Sequence, residues 1–473
     1  MTSRLFVVAV LSWSAAGGLC ACESVDSTPS PAPLTDGRGD APTQPLTDAT
    51  SDATSDATSD ATTGDAAPEA ESTIDAAGGM EASSLNADGA VESGDAMGDA
   101  GFSRLLLSYN GATQSELVAF DPASGSVAGR LVYPGFIGTT YVTPAAPWLL
   151  EQSNDVVARL DGARPWVIGS SWGVAMNDGP DSGGAYSDPV AVLVGTGAKA
   201  YVLRYTRNDI AILDTSSSVD GGDPVGSIDL SDQVQPGGDG VVEMTAAAYV
   251  PAKKLVYVLL ANINRSNVAC GGYCLLCAPT HPTVIAIDVT TDSLVDLNGA
   301  APGVGLALQG EDPASGQGAM AYDAVSDRLL ILHAGCNEPA DGGGAGPLVG
   351  REVEELSLFT GETRMLLDLT SAPYPSQLVY IDAHRAIVQL DTAYTWDPAT
   401  PSLGPAIPNA PDSFAWDGTA NLIGVTARYG DAGLAGYDVL SVRVADGKVT
   451  KLGADPFSLT GGFLSGVELW SAP

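Results

Sequence analysis

From Arg104 onward the apolar residues fall in short runs that alternate with polar ones and stop at Gly, Pro, Asn or Asp. Alternation is the period of a half-buried strand; a sustained helical period is almost absent, so the class is all-β. One pattern recurs seven times: an alternating strand, usually ending in Asp, a Gly/Ser/Thr/Pro turn, and a second strand. The copies are LVAFDPASGSVAG from Leu117, VVARLDGARPWVI from Val156, IAILDTSSSVDGG from Ile210, VIAIDVTTDSLVD from Val284, ELSLFTGETRMLL from Glu355, AYTWDPATPSLGP from Ala393 and LSVRVADGKVTKL from Leu440. The turn acids are Asp121, Asp161, Asp214, Asp288, Asp397 and Asp446, with Thr360 in the fifth copy. Asp at a strand end accepts hydrogen bonds from the turn's own backbone, so these acids are expected to be structural.

A further strand pair precedes most copies, as in Ala246–Ile263, Ala319–Gly335 and Phe414–Tyr429. Four strands per unit at a period of about 50 residues describe a propeller blade. The expected fold is therefore a seven-bladed β-propeller of four-stranded blades over residues 102–473. The first unit opens on RLLLSYN (Arg104–Asn110) with no strand ahead of it, and the chain ends in GGFLSGVELW (Gly461–Trp470). This spare C-terminal strand is expected to become the innermost strand of blade one, closing the ring and removing a sheet edge.

Ahead of the propeller, residues 1–21 have the charge, short apolar run and small-residue ending of a secretory signal, too short to span a bilayer. The ending LCAC resembles a lipobox, which implies Cys22 as the lipid-bearing residue; Cys20 at −2 departs from the usual pattern. Glu23 at +2 favours the outer membrane over the inner one, on its periplasmic side or at the cell surface. Residues 22–101 are rich in Ala, Asp, Ser and Thr, with the tetrad SDAT repeated inside Thr47–Thr62, and form an expected disordered acidic tether. A coil of ~80 residues reaches ~50 Å, enough to lift a domain off a lipid surface.

The stretch AYVLRYTRNDIAILDT (Ala200–Thr215) resembles the YVTN repeat of bacterial surface and periplasmic, YncE-like seven-bladed propellers. The resemblance covers the architecture of the domain and specifies fold better than function. Propellers of this kind include lactonases and quinoprotein-like oxidoreductases, which use a ring of His, Glu, Arg or metal ligands at the channel mouth. This chain has only His281, His333 and His384, and no nucleophile elbow, phosphate loop or zinc-protease motif. Glu243, beside the start of blade four's inner strand, is its candidate channel acid.

Loops between second and third strands, and between blades, leave a propeller on one face, here called the top. The long insertions fall in those classes in blades two to five, while blades one, six and seven read as lean. Two insertions carry cysteines: Cys270, Cys274 and Cys277 in blade four, and Cys336 at the matching position of blade five. Outside the cytoplasm they are expected to pair as disulfides, preferably Cys336 with one blade-four cysteine and a local bridge between the others. Structural zinc on these thiolates, helped by His281 and His333, is the lesser alternative. Structural calcium at the acidic loops (Asp178, Asp181, Asp220, Asp223, Glu311, Asp312) is a minor one. A net charge of −37 with no basic stripe argues against nucleic acid as a partner. The expectation is a monomeric, lipid-anchored, non-catalytic binding or scaffolding module that holds an envelope protein, peptide or glycan over blades two to five. A lactonase-like or quinoprotein-like enzyme is the alternative.

Overall fold

The computed structural model describes residues 103–175, 186–195, 198–216, 222–270, 274–299, 305–341, 344–430 and 433–471. The signal segment 1–21, Cys22, the tether 22–101 and the loop acids Asp178, Asp181 and Asp220 lie outside the described residues.

The strands build seven antiparallel blades in a ring, each of four strands, with the short strand Leu306–Ala307 adding to Thr283–Asp288 of blade four. Blade two shows the plan: Ile137–Val142 is innermost, followed outward by Pro147–Glu151, Val156–Leu160 and Ile168–Gly173. The inner strands of blades three to seven are Pro189–Val194, Met244–Val250, Met320–Asp323, Gln377–Asp382 and Ser413–Trp416. Every copy of the recurring sequence pattern supplies the third and outer strands of its blade. The turn acids work locally: Asp121 accepts from Ala123 N at 2.9 Å, Asp288 from Thr290 N at 2.7 Å and Asp397 from Ala399 N at 3.0 Å. Thr360 does the same for Glu362 N at 3.3 Å in blade five.

Blade one is completed from the far end of the chain. Phe463–Ser471 pairs antiparallel with Ser103–Asn110, placing Leu469 opposite Leu105 and Val467 opposite Leu107. Trp470 is buried and its Nε1 donates to Gly162 O of blade two at 2.9 Å, so the closing strand also ties the next blade. Gly462 enters this strand so close to blade one that a Cβ there would lie 1.9 Å from Asn110 O.

Alternation gives each blade two apolar faces, and these meet their neighbours in five clusters of buried side chains. They join blades two, three and four; four, five and six; six and seven; seven and one; and one and two. The apolar packing therefore runs unbroken around the ring, at roughly 1.5–3 kcal/mol for each fully buried Leu, Val or Ile. Carboxylates inside this framework cap backbone. Glu116 accepts from Ser458 N at 2.8 Å and Glu354 from Gln309 N at 2.9 Å, each holding the loop that enters its own blade. The Glu354 loop packs tightly on His333, and a Cβ on Gly310 would lie 2.4 Å from the imidazole.

Two features depart from the loop reading. The end of the insertion before blade five does not stay on the top face. Gly316 N bonds Thr245 O of blade four at 2.9 Å, Gly318 O accepts from Leu378 N of blade six at 2.7 Å, and the Gln317 amide meets Val142 N and O of blade two at 3.3 and 3.1 Å. Blades five and two are not neighbours, so this contact bridges the central channel. Blade seven, in turn, is not lean. Its middle strands, Asn421–Gly430 and Gly433–Arg443, stay paired to Gly430↔Gly433, while the outer strand covers only Asp438–Val442. The tip of that hairpin projects beyond the sheet, with Tyr429 exposed.

Candidate functional site

The sulfurs of the two cysteine-bearing insertions are fully paired. Cys277 bridges to Cys336 with Cα atoms 5.1 Å apart, and Cys270 to Cys274 at 5.5 Å. The bridges fasten two small hairpins, Val268–Ala269 with Cys274–Leu275 and Cys336–Pro339 with Ala345–Val349. Cys277 N donates to Asn337 O at 2.9 Å, so the two hairpins join side by side over blades four and five. With the thiols consumed, four-thiolate zinc has no ligands here. His281 is exposed, 3.6 Å from Glu311 through Nδ1, whereas His333 is fully buried with Nε2 3.1 Å from Glu354. Among the described residues no group of three or more His, Cys, Asp or Glu is placed to hold a metal ion.

The inner strands start at the top face, and the residue entering several of them is an acid. Asp188 precedes Pro189 in blade three, Glu243 precedes Met244 in blade four, and Asp412 precedes Ser413 in blade seven. In blade five the first bridge of the inner region is Pro313 with His333, and Asp312 stands directly before it. Asp188, Glu243 and Asp312 all have left-handed backbone, with φ of 53°, 42° and 42°. Non-glycine residues seldom adopt that conformation, and such strain gathers at binding and catalytic sites.

Burial sets the chemistry of these acids. The Glu243 carboxyl is fully buried and pushed up to about 9, by desolvation and then by its neighbour Asp239, against the pull of Arg265. Its Oε2 accepts from Ile263 N at 3.0 Å, while Oε1 forms an ion pair with Arg265 Nε at 3.3 Å. Arg265 is committed to Asp239 at 2.7 Å and stacks over the Tyr205 ring at 5.7 Å. Asp188 is held at about 7 by burial and by Asp155, with Arg265 opposing. Asp312 also sits at about 7, raised by burial and Glu311 and opposed by Arg351. The Tyr205 phenol is pushed up by burial and by the charges of Asp312, Glu243 and Asp188, so carboxyls of three blades act on one side chain. Asp412 is raised by burial but accepts from Ala427 N at 2.8 Å, which is a capping role.

Glu243, the candidate channel acid, stands fully buried at the entry of blade four's inner strand. In the sequence Asp188 and Asp312 are legible only as loop acids before proline. Aligning the repeats at the first residue of each inner strand is the signal that finds them. The opposite rim is aromatic: Phe136, entering blade two, packs against Phe463, entering blade one, at 5.9 Å, and Tyr109 stacks on Phe457 at 4.6 Å. Two clefts between blades, lined by Trp148 and Asp161 in one case and His384 and Trp396 in the other, open at the opposite ends of the strands.

These features define a seven-bladed β-propeller with acids entering several inner strands and a disulfide-fastened pair of insertions. No protein-family model matches the chain, and no curated protein does. It is similar to a protein of unknown function from Desulfotomaculum acetoxidans, at 10% identity over 77% of this chain and 98% of that one, with a TM-score of 0.48. It is also similar to a periplasmic gluconolactonase of Pseudomonas aeruginosa, at 13% identity over 79% of this chain and 100% of that one, TM-score 0.45. A chain of the hydrazine synthase of Kuenenia stuttgartiensis matches at 12% identity over 72% of this chain and 92% of that one, TM-score 0.45. Likeness at this level carries no functional argument.

Proposed function

We propose that this chain is a lipid-anchored envelope protein that holds a ligand at the top-face mouth of its propeller without transforming it. Cys22 anchors it, the acidic tether lifts the propeller from the lipid, and the braced insertions of blades four and five form one wall of the binding surface. The observation that carries the reading is that Asp188, Glu243 and Asp312 each enter an inner strand on left-handed backbone, with Tyr205 N donating to Asp188 O at 2.9 Å. A rigid scaffold that spends strain on loop residues is the common plan of a binding site. The Gln317 bridge across the channel supports binding at the mouth over passage through the ring.

One observation favours an enzyme as the second reading. Asp188 and Asp312 near 7 lie where a carboxyl serves as general acid or base at neutral pH. Cross-linking in envelopes, followed by purification of wild-type and Glu243→Gln chains, separates the two when joined to a lactone and alcohol substrate panel. A partner recovered with wild type and lost with the variant, and no turnover, is the expected result. Turnover that falls with Glu243→Gln establishes the enzyme, and equal recovery by both chains removes the mouth as the binding site.

A further inference from the structure

We infer that the cleft between blades two and three binds the carboxylate of a short organic acid, through the Arg159 guanidinium and the Trp148 indole N–H. This cleft opens at the opposite ends of the strands from the channel mouth, so the inference stands independently of the function proposed there.

Strand register builds the site. Tyr141, Trp148, Arg159 and Ser170 stand directly opposite one another on the four successive strands of blade two. Opposed residues of antiparallel strands share one face of the sheet, with Cβ atoms about 5 Å apart. Tyr141, Trp148 and Trp172 belong to the apolar cluster that joins blades two, three and four, so this face is the one turned to blade three. Arg159 Nη1 accordingly donates to Thr215 O of blade three at 3.0 Å. The Trp172 ring packs 5.5 Å from that of Trp148 and fixes the indole. Beside them the two blades leave a cavity of about 320 Å³, lined by Trp148, Arg159 and Asp161 and by the small or apolar Ala146, Gly169 and Val194.

Donors in this row lack acceptors. Trp148 is fully buried, and its Nε1 has no hydrogen-bond partner. Ser170, next beyond Arg159 in the row, is also fully buried with its Oγ unpartnered. Arg159 makes its one hydrogen bond to Thr215, and no carboxylate of the described residues pairs with it. A guanidinium carries five N–H donors and an indole one, and neither can accept. Buried donors are nearly always satisfied in folded proteins, so two donor-only groups on one cavity call for a ligand that accepts.

The surroundings narrow its chemistry. The planar guanidinium fork matches a carboxylate or a phosphate. Asp161 lines the same cavity, where it caps Ala163 N at 3.0 Å and Arg164 N at 2.8 Å. Its charge opposes a dianion such as phosphate more strongly than a singly charged carboxylate. The volume is near the lower end for ligand pockets, and walls of alanine, glycine and valine suit a short aliphatic tail.

Calorimetric titration of the purified full chain with sodium butanoate tests this, with butanamide as the uncharged isostere and inorganic phosphate as the competing anion. Saturable butanoate binding is expected, with none of butanamide and weaker binding of phosphate. Arg159→Gln should weaken butanoate at least about tenfold, and so should Trp148→Phe, which keeps a ring and removes the N–H. Thermal melting checks each variant, and Arg159→Lys, which keeps the charge and removes the fork, serves if Arg159→Gln does not fold. Absence of saturation below ~10 mM butanoate, which leaves water as the partner of these donors, overturns the inference. So do butanamide binding as tight as butanoate, a preference for phosphate, or unchanged affinity in a folded Arg159 variant. Butanoate binding that survives in Arg159→Gln but disappears in Glu243→Gln puts the acid at the channel mouth and overturns it as well.

Discussion

Cys277 of blade four and Cys336 of blade five are joined by a disulfide that ties the top-face insertions of two neighbouring blades across 59 residues of chain. Intact-mass measurement of the unreduced protein should show it lighter by four hydrogen atoms than the reduced chain, two for each bridge. Removing this one with a Cys277→Ala, Cys336→Ala pair should lower stability by up to about 4 kcal/mol, the chain-entropy value for such a loop. Denaturant unfolding checks it, with a Cys270→Ala, Cys274→Ala pair, which closes a far shorter loop, costing less.

Closure of the ring depends on the last strand. A chain ending at Pro456 loses Phe463–Ser471, strips the inner strand from blade one and exposes Leu105 and Leu107. Cooperative thermal unfolding should be lost, as read by circular dichroism or calorimetry. Gly462→Val, which forces a side chain into Asn110 O, should weaken the same joint without removing it.

The raised carboxyls give stability a direction with pH. A group that is neutral in the folded chain above its unfolded pKa binds more protons folded than unfolded, so its stabilisation falls as pH rises. Asp188, Asp312 and Glu352 at about 7, Glu468 at about 8 and Glu243 at about 9 act together. For these groups the loss begins near the unfolded values of about 4 and is complete only above about 9. Melting temperature should therefore decline across that window, and Asp312→Asn should flatten the decline below about pH 7.

Anchoring should follow Cys22. A Cys22→Ala chain should leave the membrane fraction and fail to incorporate labelled fatty acid, while its propeller melts as wild type. Membrane retention by that variant would rule out lipidation as the anchor.

Much of the fold is legible in the sequence because one turn acid marks the same strand end in successive blades, and the alternation on either side survives in every copy. The closing strand is visible for a similar reason: the first unit lacks a strand and the last has one too many. The mouth is harder to find. Asp188 and Asp312 sit before Pro189 and Pro313, where they read as turn residues; the pairing of Tyr205 N with Asp188 O belongs to blade three, whereas Asp312 enters blade five. Gln317 is hidden inside a Gly-rich insertion, since a bulge that reaches blade two leaves no periodic trace. The hairpin of blade seven escapes notice because its extra length continues the strands and shows no loop composition. The cysteine spacing admits three pairings, and spatial neighbourhood of Cys277 and Cys336 selects one.

The channel mouth is the place where this protein is proposed to meet its ligand. The most direct measurement replaces Tyr205 with a photo-reactive benzophenone amino acid and irradiates intact envelopes, with the same replacement at exposed His384 on the opposite face. Binding at the mouth predicts adducts at position 205 that disappear when Glu243→Gln is added, and none at position 384. Adducts at 384 alone, or adducts at 205 that persist in the Glu243→Gln chain, would contradict it.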